Sequence, residues 1–216
     1  MNVSSAKENI LKKIRQALSQ STPIPFPQSE GSQKVFRPSG QELEIEFAEQ
    51  FTKLLGKFIF CIDHKELATQ LNGLVGHQGW KKVYCREDRL KVVLKENKFD
   101  QFAAVELADC EAAITGCELL VARTGSIVLS TGAANPCGGR TVSVYAPVHI
   151  CIAYTDQLVY DIKDGLLALK ERYHNHFPSL ITFATGPSRT ADIEKTLVVG
   201  VHGPKEVYLF LVDRPS

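Results

Sequence analysis

The sequence predicts an α/β fold, a mixed sheet flanked by helices, preceded by an N-terminal helix and linker. Three observations point there. Between residues 41 and 95, stretches of helical periodicity alternate with short apolar runs of strand type. The middle of the chain carries two β-rich runs around a tight-turn signal, and the last apolar run, "EVYLFLVD", has strand length. At 216 residues with 44% hydrophobic and 23% charged residues, the composition is globular. A chain of this size hides roughly 70% of the surface its unfolded form exposes, enough for one main core.

In order, "SSAKENILKKIRQAL" sets Ile10, Leu11, Ile14 and Leu18 at helical spacing with basic residues on the other faces, an amphipathic helix. Pro23, Pro25, Pro27 and Pro38, among Ser and Gly, make the next stretch a linker. Residues 1–40 are therefore set apart from an α/β domain at 41–216. The basic helix suits a presequence, a membrane-surface helix, a partner-docking arm or a helix folded back on the body. From Gln41 a second helix presents Leu43, Phe47, Phe51, Leu54 and Leu55, and gives way near Gly56 to the strand "KFIFCI". A helix over Lys65–Leu74, the strand "KKVYCR" and a helix over Asp88–Lys95 follow.

"ELLVAR", Thr124–Gly125 and "SIVLST" read as a hairpin. "GAANPCGGR" reads as a loop, and "TVSVYAPVHICIAY" as strand-like alternation across Pro147. "DIKDGLLALKERYH" reads as a helix, "SLITFAT" as a strand, Ala191–Val198 as a helix and "EVYLFLVD" as the closing strand.

Lys and Arg number 25 against 24 Asp and Glu, a formal charge of +1, which argues against a nucleic-acid partner recognised through a field of phosphates. No apolar run reaches the roughly 20 residues of a transmembrane span, and no secretory signal opens the chain, so the cytoplasm is the expected compartment. The six cysteines contain no Cys-x-x-Cys pair; they suit reduced core thiols, and no metal site is expected.

The chemistry-bearing candidates lie in glycine-bearing turns. After "SLITFAT", Gly186 and Pro187 turn the chain, and Ser188 or Thr190 caps the expected helix. Unpaired amides at that helix start, with Arg189 beside them, would hold a phosphate or carboxylate; equally, Arg189 would pair with Asp192 or Glu194. In "GVHGP", Gly200 ends that helix and Gly203 turns the chain, placing His202 as a candidate acid or base, ahead of His149. Thr124, Gly125 and Ser126 form another small polar turn, where the glycine lets a ligand or a backbone approach closely. No nucleophilic triad and no nucleotide fingerprint can be assembled.

"TGPSRTADIEKTLVVGVHGP", preceded by "AAITGCELLVARTGSIVLS" and "APVHI", resembles the lactate-utilization protein C family, whose members carry the LUD domain. The resemblance covers residues 41 to 213. It implies a fold similar to the NagB, ribose-5-phosphate isomerase and CoA-transferase group. It also implies a part in oxidising L-lactate to pyruvate beside iron-sulfur oxidoreductase and ferredoxin-like subunits, with this chain as the member that carries no cluster. Many relatives have Ala-Glu-Thr-Gly where this sequence has Ala122, Arg123, Thr124 and Gly125. A protonated guanidinium cannot attack a thioester, so acyl transfer through that position is disfavoured, and Arg123 is left to bind an anion or to sit exposed on a hairpin. Two other functions stay open: a stand-alone transferase or isomerase for a phosphorylated or carboxylated metabolite, and a scaffold without chemistry of its own.

Overall fold

The structure, a computed structural model, describes residues 5–19, 40–131, 139–174, 176–193 and 196–214. Residues 20–39 of the expected linker and residues 132–138 of the loop expected over 132–140, Cys137 among them, lie outside the described residues; the last two residues of that loop, Gly139 and Arg140, instead open a helix. The chain forms two compact units, Met1–Arg37 and Pro38–Ser216. In the first, α1 (Ser5–Ser19) is a helix with Ile10, Leu11 and Ile14 exposed.

In the second unit, α2 (Leu43–Lys53) buries Phe47 and Phe51, which stack on each other, and runs into β1 (Lys57–Cys61). α3 (His64–Gln78) starts where the Asp63 carboxylate accepts from the Glu66 amide at 2.8 Å, and stops at Gly79 in the left-handed region. β2 (Val83–Cys85), α4 (Asp88–Glu96) and β3 (Ala112–Thr115) follow. β4 (Leu119–Val121) and β5 (Ser126–Ser130) form the expected hairpin, antiparallel across a short 3₁₀ turn at Ala122–Thr124.

Two expectations fail. Strand-like alternation does not cross Pro147: Gly139–Tyr145 is a helix, α5, and the strand β6 starts only at Val148 and ends at Tyr154. Val142 and Ala146, one helical turn apart, pack against Cys110 and Ala113, so tertiary burial overrides the β-branched preference of Thr141, Val142 and Val144.

After β7 (Leu158–Val159), α6 (Ile162–Tyr173) and β8 (Ile181–Ala184), the helix expected over Ala191–Val198 is instead an antiparallel hairpin, β9 (Arg189–Ile193) and β10 (Thr196–Val199). Thr190, Ile193, Thr196, Val198 and Val199 are β-branched, a composition that suits a pleated ribbon better than a helix. Gly200, at φ +81°, ends a strand rather than a helix. β11 (Glu206–Val212) closes the chain of elements.

Five strands form an all-parallel sheet in the order β1-β11-β6-β3-β2, and four form a mixed sheet, β7-β4-β5-β8. Side chains alternate along the parallel strands. Ile114, Ile150, Ile152, Phe210 and Val212 meet α3 and α4 on one face. Cys151, Ala153, Val207, Leu209 and Leu211 meet α2 and the mixed sheet on the other. The outer face of the mixed sheet, through Leu119, Val121 and Val128, is covered by Leu169 and Tyr173 of α6.

Candidate functional site

β2 and β3 are adjacent and parallel, yet their chains leave in opposite directions. β2 leads to α4 on one face of the sheet, and β3 leads to β4 on the other. Where neighbouring parallel strands diverge in this way, their carboxyl ends mark the topological crevice that is the usual place for ligands in α/β sheets. Glu87, two residues beyond β2, is half-buried there, and the Gly116 amide just beyond β3 donates to its Oε1 at 2.7 Å. A methyl group on Gly116 would stand 3.1 Å from Glu87 Oε2, so the missing side chain lets the carboxylate close on the backbone.

Behind this pair lies a buried polar layer. Thr115 Oγ1 and His149 Nε2 are 2.7 Å apart, and His149 is only 1% exposed. Burial pulls its imidazole pKa down to about 4, so the ring is neutral near pH 7. Cys117 and Cys151 touch through their thiols, and burial with the Cys117 contact pushes the Cys151 thiol well up. Glu118, 2% exposed, accepts from the Ser130 hydroxyl at 2.5 Å, the Tyr173 hydroxyl at 2.6 Å and Arg172 at 2.8 Å, while Gln157 donates to the Cys117 carbonyl at 2.8 Å. This network is internally satisfied and holds the mixed sheet against α6 and the crevice wall. Outside that network stands Glu87, half-buried, a carboxylate oriented by a main-chain amide.

The residues singled out from the sequence fall elsewhere. Thr124, Gly125, Ser126, Gly186 and Arg189 gather around the C-terminal end of α2. Gly125 has φ +60°, and a side chain there would stand 2.5 Å from the Phe51 nitrogen; Gly186 has φ +77°, with the Leu54 oxygen 2.4 Å from the same position. The close approach that Gly125 permits is thus of a helix backbone. Ser126 Oγ lies 2.7 Å from Thr124 Oγ1 and 2.8 Å from Thr185 Oγ1, a short chain of hydroxyls. Arg189 donates to the Leu54 carbonyl, setting a cation against the negative end of α2.

Ser188 precedes a strand, so no helix start exists there to present its amides. Its N–H donates to the Pro204 carbonyl at 3.0 Å, and its own carbonyl accepts from Gly200 at 2.9 Å. Gly203 lies close against Ser188, where an added Cβ would be 2.9 Å from the serine Cβ. Thr190 pairs with Val198 in the hairpin, and His202 is exposed on the connection into β11. Arg123 is not an exposed hairpin residue: 22% exposed, it donates to Asp161 at 2.8 Å and holds that carboxyl below the usual carboxylate range. His149 alone of the histidines weighed from the sequence belongs to the crevice layer. The one sequence cue to Glu87 is its place just after "KKVYCR".

A parallel sheet backed by helices on one face and by a second sheet on the other, with a carboxylate at the parting of two strands, defines a layered α/β protein. The chain belongs to the LUD domain family, which matches residues 46–212. It is similar to proteins named lactate utilization protein C. Identity is 35% over 107 residues to that of Deinococcus radiodurans, covering 50% of this chain and 49% of the relative. It is 35% over 116 residues to that of Anoxybacillus flavithermus, covering 53% and 49%. For Shouchella clausii it is 29% over 167 residues, covering 70% and 71%. The chain thus spans about half the length of the first two relatives. The crystal structure of a DUF162 family protein from Deinococcus radiodurans superposes with a TM-score of 0.56 at 18% identity, covering 79% of this chain and 96% of the other; it shares the fold. Among the described residues, no helix is long and apolar enough to cross a membrane.

Proposed function

We propose that this chain serves lactate utilization, as the component without iron-sulfur clusters in a system that oxidises L-lactate to pyruvate. The observation that carries the reading is its LUD domain together with 35% identity to relatives named for lactate utilization. Oxidation of L-lactate to pyruvate releases two electrons and two protons. The electrons would pass to clusters on iron-sulfur oxidoreductase and ferredoxin-like partner subunits, and this chain would contribute the crevice between β2 and β3. Glu87 is the carboxylate at that place, and a carboxylate is the group type that accepts from the hydroxyl of a 2-hydroxy acid or from a donor on a partner subunit.

Deleting the gene and comparing growth on L-lactate and on glucose tests the assignment. The expected result is a defect on lactate alone, rescued by the wild-type chain. Unchanged growth and unchanged lactate oxidation in extracts would overturn it.

A further inference from the structure

Two apolar grooves on the second unit carry rims of opposite charge. The first, of about 750 Å³, lies between α2 and β1; Ile45 and Phe60, 48% and 44% exposed, supply apolar surface, and Glu42, Glu44, Glu49 and Asp213 surround it. Beside it runs the outer edge of β1, which among the described strands pairs only with β11. The second groove, of about 690 Å³, lies along α6. Leu166, Leu167 and Phe177 are 40%, 51% and 46% exposed there, and Lys163 and Lys170 flank them.

We propose that copies of this chain associate head to tail, the lysine-flanked apolar face of α6 on one copy seating in the carboxylate-rimmed α2/β1 groove of the next. The two grooves are similar in volume and opposite in sign. Pairing either groove with itself would set carboxylates against carboxylates or lysines against lysines, which disfavours a two-fold dimer through that groove. Pairing unlike grooves covers both apolar surfaces and also shields the open edge of β1, a strand edge otherwise prone to unspecific pairing. The ion pair already on the acidic rim, Lys53 with Glu49 at 4.0 Å, is exposed on both sides and competes weakly. With a net charge of +1, no long-range repulsion opposes association. Because the two contacting surfaces differ, the assembly is either a closed ring or an open filament.

Sedimentation velocity on the full chain, across micromolar concentrations and at low and high salt, tests this. The wild type should show a mass at least twice the 23.9 kDa of the monomer, weakening as salt rises. Leu167→Asp, a change at a half-exposed side chain, should return the monomer with an unchanged melting curve. Lys163→Glu with Lys170→Glu should also be monomeric, as should Glu42→Lys with Glu44→Lys and Glu49→Lys; mixing these two variants should restore association. A wild-type chain that stays monomeric at low salt leaves the grooves to some other partner and overturns the proposal. So does an oligomer that survives Leu167→Asp, or charge-reversed variants that fail to recombine on mixing.

Discussion

Around the end of α2, two left-handed glycines let turns from the mixed sheet come against helix backbone, and Arg189 closes the arrangement on the Leu54 carbonyl. At the ends of β2 and β3 a glycine again admits a close approach, but what approaches is a carboxylate, Glu87, standing at the parting of two strands. Both regions are rich in Gly, Thr and Ser or Glu, and composition alone would rank the first higher. The difference lies in what the polar groups face. In the first, Arg189 faces helix backbone and the hydroxyls of Thr124, Ser126 and Thr185 face one another, so they hold the fold; in the second a half-buried acid stands at the carboxyl ends of two diverging strands, where α/β sheets usually hold ligands.

That contrast breaks most sharply at Gly125. Gly125→Val combines a left-handed penalty with atoms 2.5 Å from the Phe51 nitrogen, and should cost about 4 kcal/mol, seen as loss of soluble, cooperatively melting protein. A milder result would mean that α2 can draw back.

Next in size is the pH response of His149. Its pKa lies at about 4 in the folded protein against 6.5 for the free side chain, so between those values the unfolded chain binds more protons and stability rises with pH. Stability should therefore fall as pH drops below about 6.5, by on the order of 3 kcal/mol once near pH 4 is reached. Urea unfolding across that window should show the slope in the wild type and not in His149→Gln.

Arg189→Ala should cost about 1 kcal/mol, through the lost contact with the end of α2, and should leave growth on lactate intact. Loss of lactate growth by a stably folded Arg189→Ala chain would move function back to that turn. The smallest change in stability belongs to Glu87→Gln. The amide oxygen can still accept from Gly116, so stability should move by no more than about 0.5 kcal/mol. Growth on lactate should nevertheless fall when this variant replaces the wild type in a deletion strain. A variant that restores full growth would remove the crevice from the function.

Most of the fold was legible because α2, α3, α4, α6 and the parallel strands have local periodicity that agrees with their burial. The two misread segments are those where local signals conflict with packing. α5 is β-branched yet buried on one helical face, and in the sequence around the β9–β10 ribbon Asp192 and Glu194 imitate the acidic first turn of a helix. The site was less legible for a related reason. Gly125, Gly186 and Arg189 announce a tight structure, but Gly125 meets Phe51, Gly186 and Arg189 meet Leu54, 135 residues before Arg189, and Gly116 meets a residue 29 positions earlier. A turn's own residues state that something comes near; only the assembled sheet states what.

The position of β11 between β1 and β6 has a consequence for biosynthesis. β1 emerges from the ribosome early, but the strand it must lie beside follows some 151 residues later, the separation that joins Lys57 to Tyr208. Until β11 is made, β1 has no strand beside it among the described strands, so the central sheet is completed only after synthesis has passed residue 212. Until then the cover of its apolar side chains falls to the adjoining helices, α2 against Phe58 and α3 against Ile59 and Cys61.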